Sequence, residues 1–254
     1  MPVTIKSARE IELMAEAGRI LEIVHNELRD ALHAGMSTLD IDRLGEEIIR
    51  SYDCIPSFLN YNGYPASICV SLNQEVVHGI PDKHRLIQDG DIVSLDAGVI
   101  YKGYHSDAAR TYGVGEISKE AKNLMQITKE CFFEGIKYAR EGNHLFDISG
   151  AIGRYAEERG YGVVRDLCGH GIGTALHEAP EIPNYEVGRK GVKLRPGMTL
   201  AIEPMINIGT YEVDWLDDDW TVVTRDGSLS AHYENTILIT EGEPRILSLT
   251  CDNE

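Results

Sequence analysis

The chain has 254 residues, 24 of them basic and 41 acidic, and a net charge of −17. That carboxylate surplus argues against nucleic-acid binding and against docking on anionic lipid, both of which need a basic face. Hydrophobic residues make up 43% and no apolar run is long enough to span a bilayer, so a large core and no membrane segment are expected. The first residues are polar and lack a signal-peptide core. Cys54, Cys69, Cys131, Cys168 and Cys251 are an odd set without C-x-x-C, which points to reduced thiols and a cytoplasmic location.

Ser7 followed by Glu10 has the capping-box pattern. Behind it Ile11, Met14, Gly18, Leu21, Val24, Leu28 and Leu32 recur at helical spacing and predict an amphipathic helix ending near Gly35. A second helix is expected from about Asp40 to Tyr52, with Ile41, Leu44 and Ile48 on one face. Next come the apolar run Ile92–Leu95 and a hairpin signal around Tyr101–Tyr104. Ser118 then opens a helix carrying Met125, Thr128, Phe132 and Ile136, closed by Gly142. Asp147 opens another, carrying Ile148, Ile152, Tyr155 and Ala156, closed by Gly160.

The two helix pairs are joined by matching text. Gly35 to Ile41 reads G-x-x-x-L-D-I, and Gly142 to Ile148 reads G-x-x-x-F-D-I. Gly90 to Asp96 reads G-D-I-V-S-L-D, and Gly197 to Glu203 reads G-M-T-L-A-I-E. Both matches have an offset of 107 positions. His78-Gly-Ile-Pro81 and His177-Glu-Ala-Pro180 form a third match at a different offset. We read a tandem duplication with halves near 1–115 and 116–254, sharing one core in a single domain over 1–254. Helices followed by strands in each half predict an α+β fold with helices over an antiparallel sheet.

The matched positions carry acids. Asp96 and Asp107 are equidistant from a hairpin centre between Tyr101 and Lys102, which would oppose them on one face. Glu203 is the repeat mate of Asp96, and Pro204 biases it to an extended conformation. Glu234 precedes the strand Thr236–Ile239. Four buried carboxylates on related hairpins would need a cation. Gly169-His170-Gly171-Ile172-Gly173 places a histidine among glycines that permit positive φ and close backbone approach. His177 follows, with His78 as its mate. His25, His33, His84, His105 and His144 read as ordinary core or surface residues. Ligation by one histidine and several carboxylates suits Mn, Fe(II), Co or a Zn pair in a two-metal hydrolase rather than structural zinc. There is no G-x-S-x-G, H-E-x-x-H or Walker A motif. The aspartates 217–219 between Trp215 and Trp220 read as a solvated hairpin loop.

The strings Asn62-Gly-Tyr-Pro65, His78-Gly-Ile-Pro81, Ser94-Leu-Asp96, Tyr104-His-Ser-Asp107, Gly169–Gly173, His177-Glu-Ala-Pro180, Ile202-Glu-Pro-Met205 and Tyr233-Glu-Asn-Thr236 resemble the type I methionine aminopeptidases of the pita-bread fold. The resemblance covers essentially the whole chain. It implies metal-dependent removal of initiator methionine from nascent chains and peptides, with a small second residue preferred and a bridging hydroxide attacking the scissile carbonyl. The implied ligands of two divalent ions are Asp96, Asp107, His170, Glu203 and Glu234, with Asp107 and Glu234 bridging. His78, His177 and Glu203 are the implied catalytic groups. The implied substrate-binding residues are Phe58, Tyr61, Tyr64, Cys69, Trp220 and the same two histidines. It further implies a cytoplasmic monomer with transient ribosome association. Phe58, Leu176 and His232 depart from residues frequent in the family, which bears on pocket shape and on the surroundings of the ligands. The alternatives are an Xaa-Pro aminopeptidase or dipeptidase, and a non-catalytic peptide-binding relative.

Overall fold

The computed structural model describes residues 3–249; Met1, Pro2 and Cys251 lie outside them. Ser7 caps the first helix, α1 (Ala8–Ala31), and the reciprocal bond from its N–H to the Glu10 carboxylate completes the capping box. The helix stops at Ala31, short of Gly35. The second helix, α2 (Thr38–Ser51), starts earlier than expected because Ser37 is the cap and Asp40 is the N3 acid that accepts its N–H. The strands β1 (Ile55–Pro56), β2 (Ile68–Leu72), β3 (Glu75–Val77), β4 (Ile92–Tyr101) and β5 (Tyr104–Gly113) complete the first half.

The second half repeats the order. After α3 (Lys119–Ile136), capped by Ser118, comes α4 (Leu145–Glu157). Here too the aspartate is not the cap: Asp147 accepts the N–H of His144 at 2.8 Å from inside the first turn. Then follow β6 (Gly162–Val163), β7 (Gly169–Gly171), β8 (Glu178–Ile182), β9 (Thr199–Ile202), β10 (Met205–Asn207), β11 (Val213–Trp215), β12 (Val222–Thr224), β13 (Ser230–His232), β14 (Asn235–Leu238) and β15 (Arg245–Ile246). All strand pairs among the described residues are antiparallel. One sheet runs β1-β4-β2 with β5 on β4, and another runs β15-β14-β9-β7-β8. Helices α1 and α2 lie over the first and bury Leu21, Val24, Ile41 and Ile49 against Leu95 and Val99. The helices α3 and α4 bury Phe132, Ile148 and Ile152 with Leu200 and Ile237. The architecture is therefore α+β, as the helix-then-strand order predicted.

The positions offset by 107 share local geometry. Gly35 and Gly142 have φ of 90° and 89°, and Gly90 and Gly197 have 94° and 87°. Isolated bridges join Ser37 to Leu86 and His144 to Lys193, again mates. The halves differ after β10. Where the first half turns tightly at Lys102 and Gly103, the second extends into β11 and β12. Strand β12 crosses to the first half and pairs with β3, Val222 opposite Val77. This excursion carries Trp220 to His78.

The sheets of the two halves are stitched where β5 meets β14. The Thr236 hydroxyl accepts the N–H of Asp107 and donates to its carbonyl, both at 2.9 Å. Glu234 N–H donates to Ala109 O at 2.9 Å. Arg110 donates to the carbonyl of Glu234 and to Asn235 Oδ1. No helix among the described residues is long and apolar enough to cross a membrane.

Candidate active site

Asp96 sits on β4 and Asp107 on β5, but they are not directly opposed. Asp96 pairs with Ala109 and Asp107 with Gly98. The turn is Lys102-Gly103, both at positive φ (48° and 86°), as a two-residue hairpin loop demands. The hairpin centre therefore lies one residue later than expected and the pairing slips by two. A slip of two keeps side chains on the same face. The two aspartates are diagonal neighbours facing the same interior.

Glu203 follows β9 and Glu234 precedes β14, whose register sets Ile202 opposite Asn235. Glu203 and Pro204 form the break between β9 and β10. His170 is the centre of β7, within the glycine-rich stretch. Its flanking glycines are not at positive φ; they serve close approach. A Cβ on Gly169 would lie 2.4 Å from Ala201 O, and one on Gly171 would lie 2.2 Å from Ala179 O. The His170 Nδ1 donates to Gly171 O at 2.9 Å. A carbonyl only accepts, so Nε2 carries the lone pair. That nitrogen faces Glu203 Oε1 at 3.5 Å and Asp107 Oδ2 at 3.8 Å.

These groups are short of positive charge. Asp96 Oδ1, Asp107 Oδ1 and Glu234 Oε1 are buried without a hydrogen-bond partner. Burial pushes the Asp96 carboxyl up to about 8. Burial and then the neighbouring carboxylates push Asp107, Glu203 and Glu234 well above their ordinary values. Burial also holds His170 down at about 3, so the imidazole is neutral. Neutral imidazole beside orphaned carboxylate oxygens is the donor set of a hard-to-borderline divalent cation. Asp107, His170 and Glu234 offer ligand atoms that all lie within 4.8 Å of one another. The residues present thus fit a metal.

Beside this cluster lies a cavity of about 130 Å³. Asp96, Asp107, His170, Glu203 and Glu234 line one end. Phe58, Tyr61, Tyr64, Cys69 and Trp220 line the apolar part, and His78 and His177 complete it. Every site residue singled out in the sequence is thus brought to one space. Asn62 and Leu176 line it too; Asn62 appeared only inside a motif string. Strand β1 leads to Phe58, whose ring edge would lie 3.0 Å from a Cβ on Gly98. The Tyr64 hydroxyl donates to Gly79 O at 3.0 Å. The Trp220 ring meets Tyr64 edge-on at 5.1 Å and His78 at 6.2 Å between centroids.

His78 has φ of 60°, a conformation that costs a non-glycine residue about 1–2 kcal/mol. Burial lowers its pKa to about 4, so its ring too is neutral. His177 stands at the mouth. Its Nδ1 shares a hydrogen bond with the Tyr61 hydroxyl at 2.9 Å, and its ring packs edge-on against His170 at 4.2 Å between centroids. The cavity continues into an open cleft past Cys168, Glu181 and Arg189. His232 is buried, and its Nε2 is 3.9 Å from both Glu203 and Glu234 carboxylates. His25 and His105 are core residues bonded to Ala108 O and Ser57 Oγ. In the 215–220 loop Asp217 and Asp219 are exposed. Asp218 is exposed as well, and its carboxylate accepts the N–H of Trp220 and of Thr221, at 2.9 and 2.7 Å. Cys54, Cys69, Cys131 and Cys168 are free thiols.

Residues 12–241 match Metallopeptidase family M24. The chain belongs to that family. The M24 metallopeptidase match agrees with the carboxylate–histidine cluster and makes the site one of divalent-metal dependence. The methionine aminopeptidase of Clostridium acetobutylicum is 55% identical, over 97% of this chain and 99% of that protein. The crystal structure of methionine aminopeptidase from Thermotoga maritima superposes with a TM-score of 0.96 at 44% identity, covering 98% of this chain and 100% of that one. An Xaa-Pro dipeptidase from Bacillus anthracis is more distant, with a TM-score of 0.77 at 26% identity; the match covers 97% of this chain but 62% of that longer one.

Proposed function

We infer that this M24 metallopeptidase removes the amino-terminal methionine from peptides. The observation that carries this is the cavity of about 130 Å³ in which apolar and aromatic side chains stand against the acid–histidine cluster. It suits one unbranched apolar side chain with its backbone at the metal centre. The likeness to methionine aminopeptidases over nearly the full length supports the same reading.

Asp96, Asp107, His170, Glu203 and Glu234 would hold two divalent ions, drawn from Mn, Fe(II), Co or Zn. Bound there, they supply Lewis acidity and ease deprotonation of water near neutral pH. The chain's own groups do the rest. His177 donates a hydrogen bond to the scissile carbonyl oxygen as negative charge grows on it. His78 orients the scissile amide from the other side of the cavity. Glu203 takes the proton of the attacking water and returns it to the leaving amine. Phe58, Tyr61, Tyr64, Cys69 and Trp220 grip the methionine side chain and exclude water. The cleft past Cys168 admits the rest of the peptide, with a small second residue preferred at the narrow mouth. The shared φ values and bridges at an offset of 107 support a single domain built from duplicated halves, with the site between them. The further reading is a cytoplasmic monomer that meets new chains near the ribosome.

The test is release of amino acid from Met-Ala-Ser, Met-Lys-Ser and Ala-Pro-Ser, each with added metal and with chelator. Metal-dependent release from Met-Ala-Ser alone is expected. Cleavage confined to Ala-Pro-Ser would move the assignment to the Xaa-Pro group.

A further inference from the structure

Before Ser7 caps α1, the chain runs as a strap across the second half. Val3 packs on that half's core. Lys6 N–H donates to Gly197 O at 2.8 Å, and a Cβ on Gly197 would lie 3.0 Å from Lys6 O. Lys6 then turns its ammonium inward. Its Nζ lies 2.6 Å from Glu178 Oε2, with the two side chains 5% and 9% exposed. The Thr4 hydroxyl donates to the same oxygen at 2.7 Å. The other Glu178 oxygen accepts Ala175 N–H at 3.3 Å. One carboxylate therefore ties the strap to the segment 173–178. On the far side His105 N–H donates to Gly173 O at 2.8 Å. Even Gly173 is shaped by this junction: a Cβ there would lie 2.5 Å from both Glu178 Oε1 and Lys6 Cε.

Burying two charges costs desolvation that their attraction repays only with good geometry, so stability alone is a weak reason for such a pair. Its place suggests another. Glu178 directly follows His177, whose ring is exposed at the cavity mouth and, among the described residues, is bonded only to the Tyr61 hydroxyl.

We propose that Lys6 and Glu178 are a positioning pair for His177, the buried ion pair holding the 173–178 segment so that the ring stays between Tyr61 and His170. This rests on the reading of His177 as the donor to the scissile carbonyl. Lys6 lines neither the cavity nor the cleft, and Glu178, at the edge of the cleft, gives its carboxylate to Lys6, Thr4 and Ala175; the pair acts through the ring.

Lys6→Met alone would strand a buried carboxylate, so the test removes both charges with Lys6→Met/Glu178→Gln. With Met-Ala-Ser and the metal-loaded protein, the pair change is expected to lower kcat about tenfold in the wild-type background. In a His177→Ala background it is expected to lower kcat less than about twofold, because the group it acts through is gone. Equal losses in both backgrounds, or no loss in the first, overturn the proposal. In the metal-free protein, the imidazole 15N signals of His177 should shift in the double variant while those of His25 stay; unchanged His177 signals overturn it. Should the double variant not fold, Thr4→Ala removes the exposed hydroxyl that donates to Glu178 and accepts from Lys6, and should shift the same signals; no shift is again fatal. Wild-type protein that releases no methionine sinks the functional reading instead, and the 15N comparison still judges the pair.

Discussion

One hydroxyl, that of Thr236, holds both backbone polar groups of Asp107, accepting from its N–H and donating to its carbonyl at 2.9 Å each. The contact spans 129 positions and joins β5 of the first half to β14 of the second at a proposed metal ligand. Thr236→Val keeps the shape and removes both bonds. Unpaired buried groups cost about 1–3 kcal/mol each. The variant should lose about 2 kcal/mol or more in urea unfolding and bind metal more weakly. Unchanged stability would show that the clamp is dispensable.

Asp96 and His177 should separate by function. Asp96→Asn removes one of the proposed ligands, and metal affinity should fall by at least the roughly 10- to 100-fold that loss of an outer partner costs. His177→Ala should keep its metal and lose about 10²–10³-fold in kcat, as for loss of an oxyanion donor. Metal analysis beside steady-state kinetics distinguishes the two. Equal metal loss in both variants would contradict the division.

The metal-free protein should respond to pH in a direction set by the raised carboxyls. Asp96 titrates at about 8 when folded against an ordinary 3.8, and Asp107, Glu203 and Glu234 are also raised. Between these values the folded form holds protons that the unfolded form has lost, so stability falls as pH rises. The buried histidines His25, His170 and His232, lowered to about 3, act the opposite way, but only below their ordinary 6.5. From pH 6.5 to 8 the carboxyls act alone. Unfolding free energy should drop by about 1.4 kcal/mol per pH unit for each retained proton. Saturating divalent metal should abolish the drop, because the cation replaces the protons. A flat profile without metal would count against the charge frustration of the site.

Trp220 closes the apolar cavity from the excursion β11–β12, and Asp218 holds it there through the N–H groups of Trp220 and Thr221. Trp220→Ala should raise KM for Met-Ala-Ser about tenfold with kcat little changed, the mark of lost uniform binding. Asp218→Ala should move KM in the same direction by less. A kcat loss at constant KM would instead assign Trp220 to the reacting centre.

Much of this site is local in origin. The capping box at Ser7, the glycines at the repeat mates and the acids that end apolar runs are all patterns within a few residues. Chemistry reads them directly: several carboxylates and a histidine on buried strands require a cation whatever the fold. The repeat at an offset of 107 added that two halves must meet. The local signal faltered where a small geometric choice governed the outcome. Asp40 and Asp147 stand inside their first turns rather than at the helix starts, and the positive φ of Lys102 and Gly103 moved the hairpin centre and slipped the pairing by two.

By itself, then, the sequence determined the α+β plan, the metal-binding chemistry and the identity of the residues lining the site. Only the tertiary structure decided the diagonal placement of Asp96 and Asp107, the arrival of Trp220 beside His78 through the pairing of β12 with β3, the clamp of Thr236 on Asp107, and the burial of Lys6 against Glu178. The physical reason is one of range. Helical periodicity and strand ends express interactions between near neighbours, whereas these four contacts join distant segments, Lys6 and Glu178 being 172 positions apart. Their geometry exists only once the two halves have packed.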